Sequence, residues 1–246
     1  MKDNKILLVT GASSDVGQAL IRKVAWNYTK VVAHYGHSSD AIKELASEFG
    51  DRIVPMQADF SNEADITAVI ARIKEQNLMP DHVVHLVSPK AYNQKFDKDD
   101  IENFDIGWKV SVRSIVQILL SVMPYMKKQK YGKVIFMLTS CVLNLPAKYQ
   151  SSYVTIKYAL LGLMKSLSVE YADKGIAINA VSPDMIETKF LSEIPDLIVQ
   201  KNAMSSPLGR NLTVDDVVPA YEYLLSDDGD AVRGGNLSIT GGRSSR

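Results

Sequence analysis

Short apolar runs alternate along the chain with longer stretches in which apolar residues recur every three or four positions. The short runs predict strands, and the longer stretches predict amphipathic helices with one apolar face. In the stretch 65–73, for example, Ile66, Val69 and Ile70 fall on one stripe of a helix. The predicted strands are 5–9, 30–35, 52–57, 82–87, 133–138, 176–181 and 236–240, and three of the predicted helices are 16–28, 39–49 and 63–76.

Strands that alternate with helices predict right-handed crossovers and therefore a parallel sheet. We expect an α/β fold of Rossmann type, a doubly wound parallel sheet of about seven strands with helices on both faces. No repeat, low-complexity tract or Gly/Ser linker divides the chain, which favours a single domain over residues 1–246. The stretch 185–207 is apolar but interrupted by Pro195 and Pro207. Its position late in the chain predicts a helical substrate flap rather than core.

Composition narrows the class of protein. A chain of 246 residues can bury a substantial core without a metal or a disulfide. Lysine and arginine total 28, as do aspartate and glutamate, and no basic run occurs, which argues against a nucleic-acid partner. The single cysteine, Cys141, fits a reducing compartment. No apolar run approaches the ~20 residues of a membrane span, so we expect a soluble, cytoplasmic protein without a membrane partner.

The first predicted strand leads into a glycine-containing turn. Gly11 follows the strand and Gly17 opens the next helix. Glycines at these points permit a tight turn, and the free N–H groups of the helix start attract a phosphate. Tight strand-to-helix turns also use glycines without binding a ligand. This turn lies in the first strand–helix unit of an alternating chain, which favours a dinucleotide site.

The end of the second predicted strand bears on the choice of cofactor. An acidic residue there would bind a ribose 2′-hydroxyl and repel a 2′-phosphate. Here no acid occurs before Asp40, which favours NADP(H) over NAD(H), with His37 and Ser38 as donors to the phosphate. The alternative is an ordinary solvated turn in which a serine caps the following helix. Asp59, after the third strand, is expected at the carboxyl edge of the sheet, where ligands bind.

Tyr153 and Lys157 lie four residues apart near the start of an apolar-periodic stretch. In a helix, such residues project from one face. A cation within a few ångströms favours the phenolate and lowers the tyrosine pKa from about 10 toward neutrality, where proton transfer is most effective. The alternative is a surface pair that arises by chance. Together with a dinucleotide turn, the pair predicts proton transfer.

By these residues the chain resembles the short-chain dehydrogenase/reductase family over essentially its whole length. The motif Thr-Gly-x-x-x-Gly-x-Gly corresponds to residues 10–17, and Tyr-x-x-x-Lys corresponds to Tyr153 and Lys157. The stretch 176–183 is similar to the sixth strand of the family. The resemblance implies hydride transfer between NADP(H) and a carbonyl or secondary alcohol, as in 3-oxoacyl reductases. It further implies that Tyr153 protonates the carbonyl oxygen and that Lys157 holds the ribose hydroxyls.

The resemblance also assigns the remaining site residues. The family serine that polarises the carbonyl lies about thirteen residues before the tyrosine, which gives Ser140, but matching the strand favours Thr139. The asparagine of the catalytic tetrad aligns with Ser111, which is expected to hold a proton-relaying water. No metal is expected, because no carboxylate or cysteine cluster completes a ligand set. The implied cofactor residues are Gly11, Ser13, Ser14, Asp15, Val16, Gly17, Tyr35, His37, Ser38, Asp59, Phe60, His85, Tyr153, Lys157, Pro183, Ile186 and Thr188.

Several residues depart from the family pattern. Asp15 replaces a glycine and brings a carboxylate near the expected pyrophosphate, unless it turns outward to cap the helix. His85 begins a stretch that differs from the family's Asn-Asn-Ala-Gly, and Asp184 replaces a second glycine. These departures support an alternative, a non-catalytic dinucleotide-binding sensor or scaffold. An enoyl reductase is disfavoured, because those proteins space their tyrosine and lysine more widely.

The expected substrate walls are residues 90–96, 142–150 and 185–204, which are mostly apolar. Lys90, Lys95 and Lys148 at their rim suit an anionic group such as phosphopantetheine, CoA or a sugar nucleotide, although scattered surface lysines are commoner. The partner is therefore expected to be a small-molecule carbonyl. The resemblance also implies a homodimer or homotetramer with helical interfaces.

Overall fold

The computed structural model describes residues 4–90, 93–143, 145, 146 and 148–243. Its centre is a seven-stranded parallel sheet in the order β3-β2-β1-β4-β5-β6-β7. This confirms the predicted doubly wound parallel sheet. The strands are β1 (Ile6–Thr10), β2 (Lys30–Tyr35), β3 (Ile53–Gln57), β4 (His82–His85), β5 (Gly132–Met137), β6 (Ile176–Pro183) and β7 (Asn236–Ile239).

Helices connect the strands, and polar side chains mark where several of them begin. Ser14, Asn62 and Asp100 each accept a backbone N–H of the following first turn, as helix N-caps do. A π-helical turn, Trp108–Arg113, joins two helices into one long element. The helices are α1 (Asp15–Val24), α2 (Asp40–Phe49), α3 (Glu63–Glu75), α4 (Ile101–Gly107), α5 (Ser114–Gln129), α6 (Ser151–Tyr171), α7 (Asp196–Ser205) and α8 (Val214–Leu225).

The sheet is covered on both faces by apolar layers. Leu7 and Leu8 are both fully buried but belong to opposite layers, because successive strand residues point to opposite faces. One layer includes residues of α3, α5 and α6, and the other includes residues of α1, α2 and α8. Burial on both faces explains why the strands read as continuous apolar runs rather than as alternating ones.

The helical stretch Ile101–Gln129 is long and apolar enough, by length and composition, to cross a membrane. Half of its most apolar 18-residue part is buried inside the protein. Ile115, Leu119 and Val122 of α5 lie in the apolar layer against the sheet. Packing on the sheet therefore accounts for the apolar character of this stretch.

The strand order places a crevice at the carboxyl ends of β1 and β4. The chain leaves β1 toward β2 on one side, while β4 begins the other half of the sheet. Thr10 is in register with His34 of β2 and with His85 of β4. In open α/β sheets, ligands bind at such a switch point. The turns after β1, β2, β4 and β5 therefore surround one site.

Candidate active site

A cavity of about 1080 Å³ lies at this edge of the sheet and extends from the turn after β1 to α7. Four of the predicted site residues, Gly17, Tyr35, His85 and Ser111, lie outside its lining. The predicted residues that line it are Gly11, Ser13, Ser14, Asp15, Val16, His37, Ser38, Asp59, Phe60, Ser140, Tyr153, Lys157, Pro183, Ile186 and Thr188.

The turn between β1 and α1 forms one end of the cavity. Gly11 has a φ of +75°, a conformation that favours glycine. A Cβ on Gly17 would lie 2.6 Å from the carbonyl oxygen of Gly11, so Gly17 allows α1 to approach the turn without itself lining the cavity. The Ser14 hydroxyl accepts the Gly17 amide at 3.1 Å. The amides of Asp15 and Val16 belong to the first helical turn, which has no intrahelical acceptor, and so they suit a phosphate.

The Asp15 side chain has a partner that the sequence did not suggest. Its Oδ2 accepts the backbone N–H of Lys189 at 2.8 Å. Lys189 begins the short 3₁₀ helix Lys189–Glu193, within the stretch predicted as a flap. Ser14, and not Asp15, supplies the N-cap of α1. The carboxylate therefore ties the glycine turn to the 185–207 segment instead of capping the helix.

His34, which the sequence did not single out for the cofactor, forms part of the cavity floor. Its ring stacks on Phe60 with centroids 3.7 Å apart and planes 12° from parallel. Its Nδ1 accepts the Gly11 amide at 3.2 Å, and its Nε2 donates to the Ala58 carbonyl at 3.1 Å. Burial lowers the pKa of His34 to about 4, so the imidazole is neutral.

Tyr35 was predicted to bind the cofactor, but it packs against the apolar layer that includes α2 residues. The cause is the pleat of β2, which sends neighbouring side chains to opposite faces. His34 points to the cavity side in place of Tyr35. Residues two positions apart in a strand point to the same face, so His34, two residues before the glycine at the strand end, was the residue to expect at the cavity.

The turn after β2 leaves open space at Gly36. A Cβ on this residue would meet no atom closer than the Ala58 carbonyl oxygen at 3.9 Å. His37 and Ser38 line the cavity beside it. Across the cavity, the Ser61 amide donates to Asp59 at 2.9 Å, and this bond lowers the Asp59 carboxyl pKa. Nearby His37 contributes to the same shift.

Tyr153 and Lys157 lie near the start of α6 and both line the cavity. The Lys157 ammonium nitrogen is 5.5 Å from the centroid of the Tyr153 ring and donates to the Met137 carbonyl at 3.0 Å. Lys157 is only 3% exposed, and burial lowers its pKa to about 8. The cation is therefore held at the end of β5, close to the phenol.

The pKa of Tyr153 shifts in the direction opposite to the expected one. Burial raises this pKa, and a hydrogen bond with the Thr139 side chain only partly opposes the rise. The ring keeps some surface open to the cavity, but the surrounding protein excludes enough water for desolvation to dominate. Tyr153 is consequently protonated at neutral pH and is poised to donate a proton.

The structure separates the two candidate hydroxyls at the end of β5. Thr139 hydrogen-bonds Tyr153 and also accepts the Cys141 amide at 3.4 Å. The Ser140 hydroxyl donates instead to Asp184 Oδ1 at 3.3 Å. A 3₁₀ turn begins at Ser140 and redirects its side chain toward the end of β6. The geometry thus favours Thr139, the alternative register, over Ser140 as the hydroxyl beside the tyrosine.

His85 lies behind the cavity wall and is not a lining residue. Its Nε2 donates to the Ser111 carbonyl at 2.8 Å, and its Nδ1 accepts the Thr10 hydroxyl at 2.8 Å. Full burial lowers its pKa to about 3, so the ring is neutral. His85 therefore fastens the π-helical turn to the end of β1. The Ser111 hydroxyl is buried, and no residue in the described ranges hydrogen-bonds it.

The far end of the cavity is lined by the 185–207 segment. Phe190 brings its ring to 6.2 Å from that of Tyr153, between centroids. Lys90 pairs with Glu193 at 3.1 Å across the mouth. Lys148 lines the cavity, whereas Lys95 lies outside it. Residues 91, 92, 144 and 147 of the expected walls lie outside the described ranges. The other lining residues of this segment include Met185, Leu191, Ile194, Ile198, Lys201, Asn202 and Ser205.

Comparisons with known proteins identify the family to which the chain belongs. The family model described as enoyl-(acyl carrier protein) reductase matches residues 11–244. The 2-(R)-hydroxypropyl-CoM dehydrogenase of Xanthobacter autotrophicus is 31% identical over 247 residues, which cover 97% of this chain and 98% of that protein. The 3-oxoacyl-[acyl-carrier-protein] reductase FabG of Escherichia coli is 27% identical over 240 residues, covering 98% and 97%.

A solved structure shows the same fold. The 3-ketoacyl-(acyl-carrier-protein) reductase from Brucella melitensis, complexed with NADH, matches with a TM-score of 0.86 and 25% identity, covering 98% of this chain and 99% of that one. The family match spans the glycine turn, the Tyr153–Lys157 pair and the end of β6. The chain therefore belongs to the short-chain dehydrogenase/reductase family of oxidoreductases.

Proposed function

We propose that the protein is an NADP(H)-dependent reductase that converts a ketone to a secondary alcohol. The observation that carries this proposal is the Tyr153 phenol with the buried Lys157 ammonium 5.5 Å from its ring centroid and the Thr139 side chain as a hydrogen-bond partner. These three groups lie at one end of a cavity whose other end is the glycine turn. The similarity to FabG, named as a 3-oxoacyl reductase, supports the same type of reaction.

The residues present fit a nicotinamide dinucleotide. Asp15 and Val16 offer amides at the start of α1 for the phosphates. The stacked pair His34–Phe60 offers an aromatic floor near Asp59. A cofactor with a 2′-phosphate is favoured, because the end of β2 has space and no carboxylate. His37 and Ser38 line the cavity there as hydrogen-bond donors.

The chain's own residues account for the proton. A reduced nicotinamide, when bound, supplies a hydride to the carbonyl carbon. Tyr153 donates its proton to the carbonyl oxygen, and Thr139 donates a hydrogen bond to the same oxygen. Lys157 stabilises the phenolate that remains, because its ammonium lies beside the ring. The raised pKa of Tyr153 keeps the phenol protonated at neutral pH, as a proton donor must be, and the ammonium of Lys157 offsets the cost of releasing that proton.

Titration of the protein with NADPH and NADH, followed by nicotinamide fluorescence, tests the cofactor proposal. We expect micromolar binding of NADPH and at least tenfold weaker binding of NADH, since only the former offers a 2′-phosphate to His37 and Ser38. Failure to bind either dinucleotide would overturn the proposal and favour a fold put to another use. In that case Asp15, which brings a negative charge to the phosphate end, is the first residue to replace.

Catalysis is tested with Tyr153→Phe on a panel of ketones. We expect this variant to lose turnover while it keeps its affinity for NADPH, because the substitution removes only the phenolic hydroxyl group and keeps the ring. Tyr223→Phe, at an exposed tyrosine of α8, is the matched control and should keep full activity. Turnover that survives in Tyr153→Phe would remove the tyrosine from the mechanism. Binding of NADPH without turnover of any ketone would favour the sensor or scaffold alternative, which the altered Asp15 and Ser111 motivate.

We also propose that the protein acts in the cytoplasm as a homodimer or homotetramer. The lone cysteine supports a reducing compartment. Trp108 and Leu120 on the long helical element and Val169 on α6 are large apolar residues that are more than half exposed in the single chain. Exposed apolar residues of this size suit a subunit interface. Light scattering coupled to size-exclusion chromatography measures the mass, and a monomer at micromolar concentration would refute the proposal.

A further inference from the structure

Two adjacent hydroxyls in the cavity have different partners. Thr139 hydrogen-bonds the Tyr153 phenol, whereas the Ser140 hydroxyl donates to Asp184. A serine hydroxyl has a single proton to donate. With that proton directed at Asp184, Ser140 presents only lone pairs to the cavity. Ser140 therefore acts as an acceptor, one residue away from the hydroxyl beside the reacting phenol.

The Asp184 carboxylate is held in place by a second contact. Its Oδ2 pairs with the Arg243 guanidinium at 3.1 Å, and the two side chains are only 16% and 29% exposed. Arg243 in turn donates to the side-chain oxygen of Asn202 at 2.6 Å and to Ser205 at 3.1 Å, both on α7. Arg243, which does not itself line the cavity, thus balances the charge of Asp184 and restrains rotation of the carboxylate.

These contacts leave an acceptor surface in the substrate half of the cavity. A carboxylate offers about four lone-pair positions, and Ser140 and Arg243 occupy two of them. An apolar substituent placed against Asp184 would leave the remaining positions without water or a partner, which is costly. A substrate carboxylate would be repelled. Because Arg243 already neutralises Asp184, the complementary group is a neutral donor.

We propose, building on the reductase function above, that Asp184 and Ser140 form a subsite for a substrate hydroxyl next to the carbonyl group. Thr139 and Ser140 are consecutive and both line the cavity, so a substrate whose carbonyl oxygen lies at Thr139 can place a hydroxyl on the adjacent carbon toward Ser140 and Asp184. The substrate class is therefore the α-hydroxyketones. The apolar residues Phe190 and Leu191 accommodate the remainder of the molecule.

Two aryl ketones of equal size test this subsite. 2-Hydroxyacetophenone and propiophenone differ only in a hydroxyl group in place of a methyl group. We expect kcat/KM to favour the hydroxyketone by about 10- to 100-fold in the wild type, as for a hydrogen bond to a charged group. Because the two ketones also differ in intrinsic reactivity, the decisive quantity is the change of this ratio between variants.

The ratio is expected to fall at least tenfold in Asp184→Gly and to fall also in Ser140→Ala. Asp184→Asn keeps the size of the side chain and should give a ratio between those of the wild type and Asp184→Gly. This variant still tests the subsite if Asp184→Gly fails to fold. Asp216→Asn is the matched control, because Asp216 also pairs with an arginine, at 2.6 Å, but does not line the cavity. An unchanged ratio in Asp184→Gly would overturn the proposal.

A binding measurement separates this proposal from the reductase function. Calorimetric titration of both ketones into Tyr153→Phe, with saturating NADP⁺, reports affinity where proton transfer is removed. We expect about tenfold tighter binding of the hydroxyketone, lost when Asp184→Gly is added. If the wild type turns over no ketone, the reductase proposal fails, whereas the relative affinity for the two ketones still tests the subsite. Equal affinities, or no binding of either ketone, would overturn the subsite.

Discussion

Replacing Lys157 with methionine is expected to abolish turnover and to change the stability of the ligand-free protein in a pH-dependent way. Burial lowers the pKa of Lys157 from its ordinary value of 10.5 to about 8. At 1.36 kcal/mol per pKa unit, holding the charged side chain in the fold costs about 3 kcal/mol below pH 8. Methionine carries no charge and avoids this cost.

The sign of the effect follows from proton linkage. Below pH 8 the lysine is protonated in both the folded and unfolded states, so the full cost applies. Between pH 8 and 10.5 it is protonated mainly in the unfolded state, and the cost declines. The free energy of unfolding of Lys157→Met, relative to that of the wild type, should therefore fall by about 2 kcal/mol between pH 7 and pH 9.5. Loss of the bond to the Met137 carbonyl costs roughly 1–3 kcal/mol, but this loss does not depend on pH.

Urea unfolding followed by far-ultraviolet circular dichroism, at pH 7 and pH 9.5 and equal protein concentration, measures this difference. Lys165→Met, at an exposed lysine of the same helix, is the control and should show no such pH dependence. A free-energy difference between Lys157→Met and the wild type that is the same at both pH values would refute the reasoning. It would mean that the ammonium of Lys157 is solvated in the ligand-free protein.

Three further predictions concern the cofactor, the hydroxyls and pH. Gly36→Asp should weaken NADPH binding at least tenfold and leave NADH binding nearly unchanged in the fluorescence titration, because its carboxylate would repel a 2′-phosphate; an unchanged preference would place the phosphate elsewhere. Thr139→Ala should lower kcat for propiophenone by roughly 10²-fold, and by more than Ser140→Ala does, because we propose that Thr139 donates a hydrogen bond to the reacting oxygen; the reverse order would assign that role to Ser140. In pH–rate profiles, reduction should decline above about pH 8, because Lys157 loses its charge and no longer stabilises the Tyr153 phenolate; a reduction rate that is the same at pH 7 and pH 9.5 would contradict this assignment.

The sequence predicted features that depend on local spacing. The strands were recognisable because burial on both faces makes them continuously apolar, and Tyr153 and Lys157 come together through the spacing of one helix. Spacing was less decisive where the direction of a side chain depends on the pleat or on a turn. His34 lines the cavity and Tyr35 does not, because of the pleat, and the turn at Ser140 favours Thr139, the alternative register, as the hydroxyl beside Tyr153.

Contacts between distant loops had no signal in the sequence. Asp15 and Lys189 are 174 residues apart and meet through a backbone amide, which any residue type could provide. Asp184 and Arg243 meet because the segment after β7 returns to the end of β6. The direction of the Tyr153 pKa shift was also inaccessible, because it depends on how much protein surrounds the ring. Such features follow from the three-dimensional arrangement and not from spacing.

The bond between Asp15 and Lys189 has a consequence for the order in which ligands bind. A dinucleotide whose phosphates lie at the start of α1 competes with this carboxylate for the same region of the cavity. We expect its arrival to displace the carboxylate from the amide of Lys189 and so to free the 3₁₀ segment that carries Phe190 and Leu191. On this reasoning, the substrate wall adopts its final position only after the cofactor has entered. Steady-state kinetics should accordingly be ordered, with the dinucleotide first on and last off.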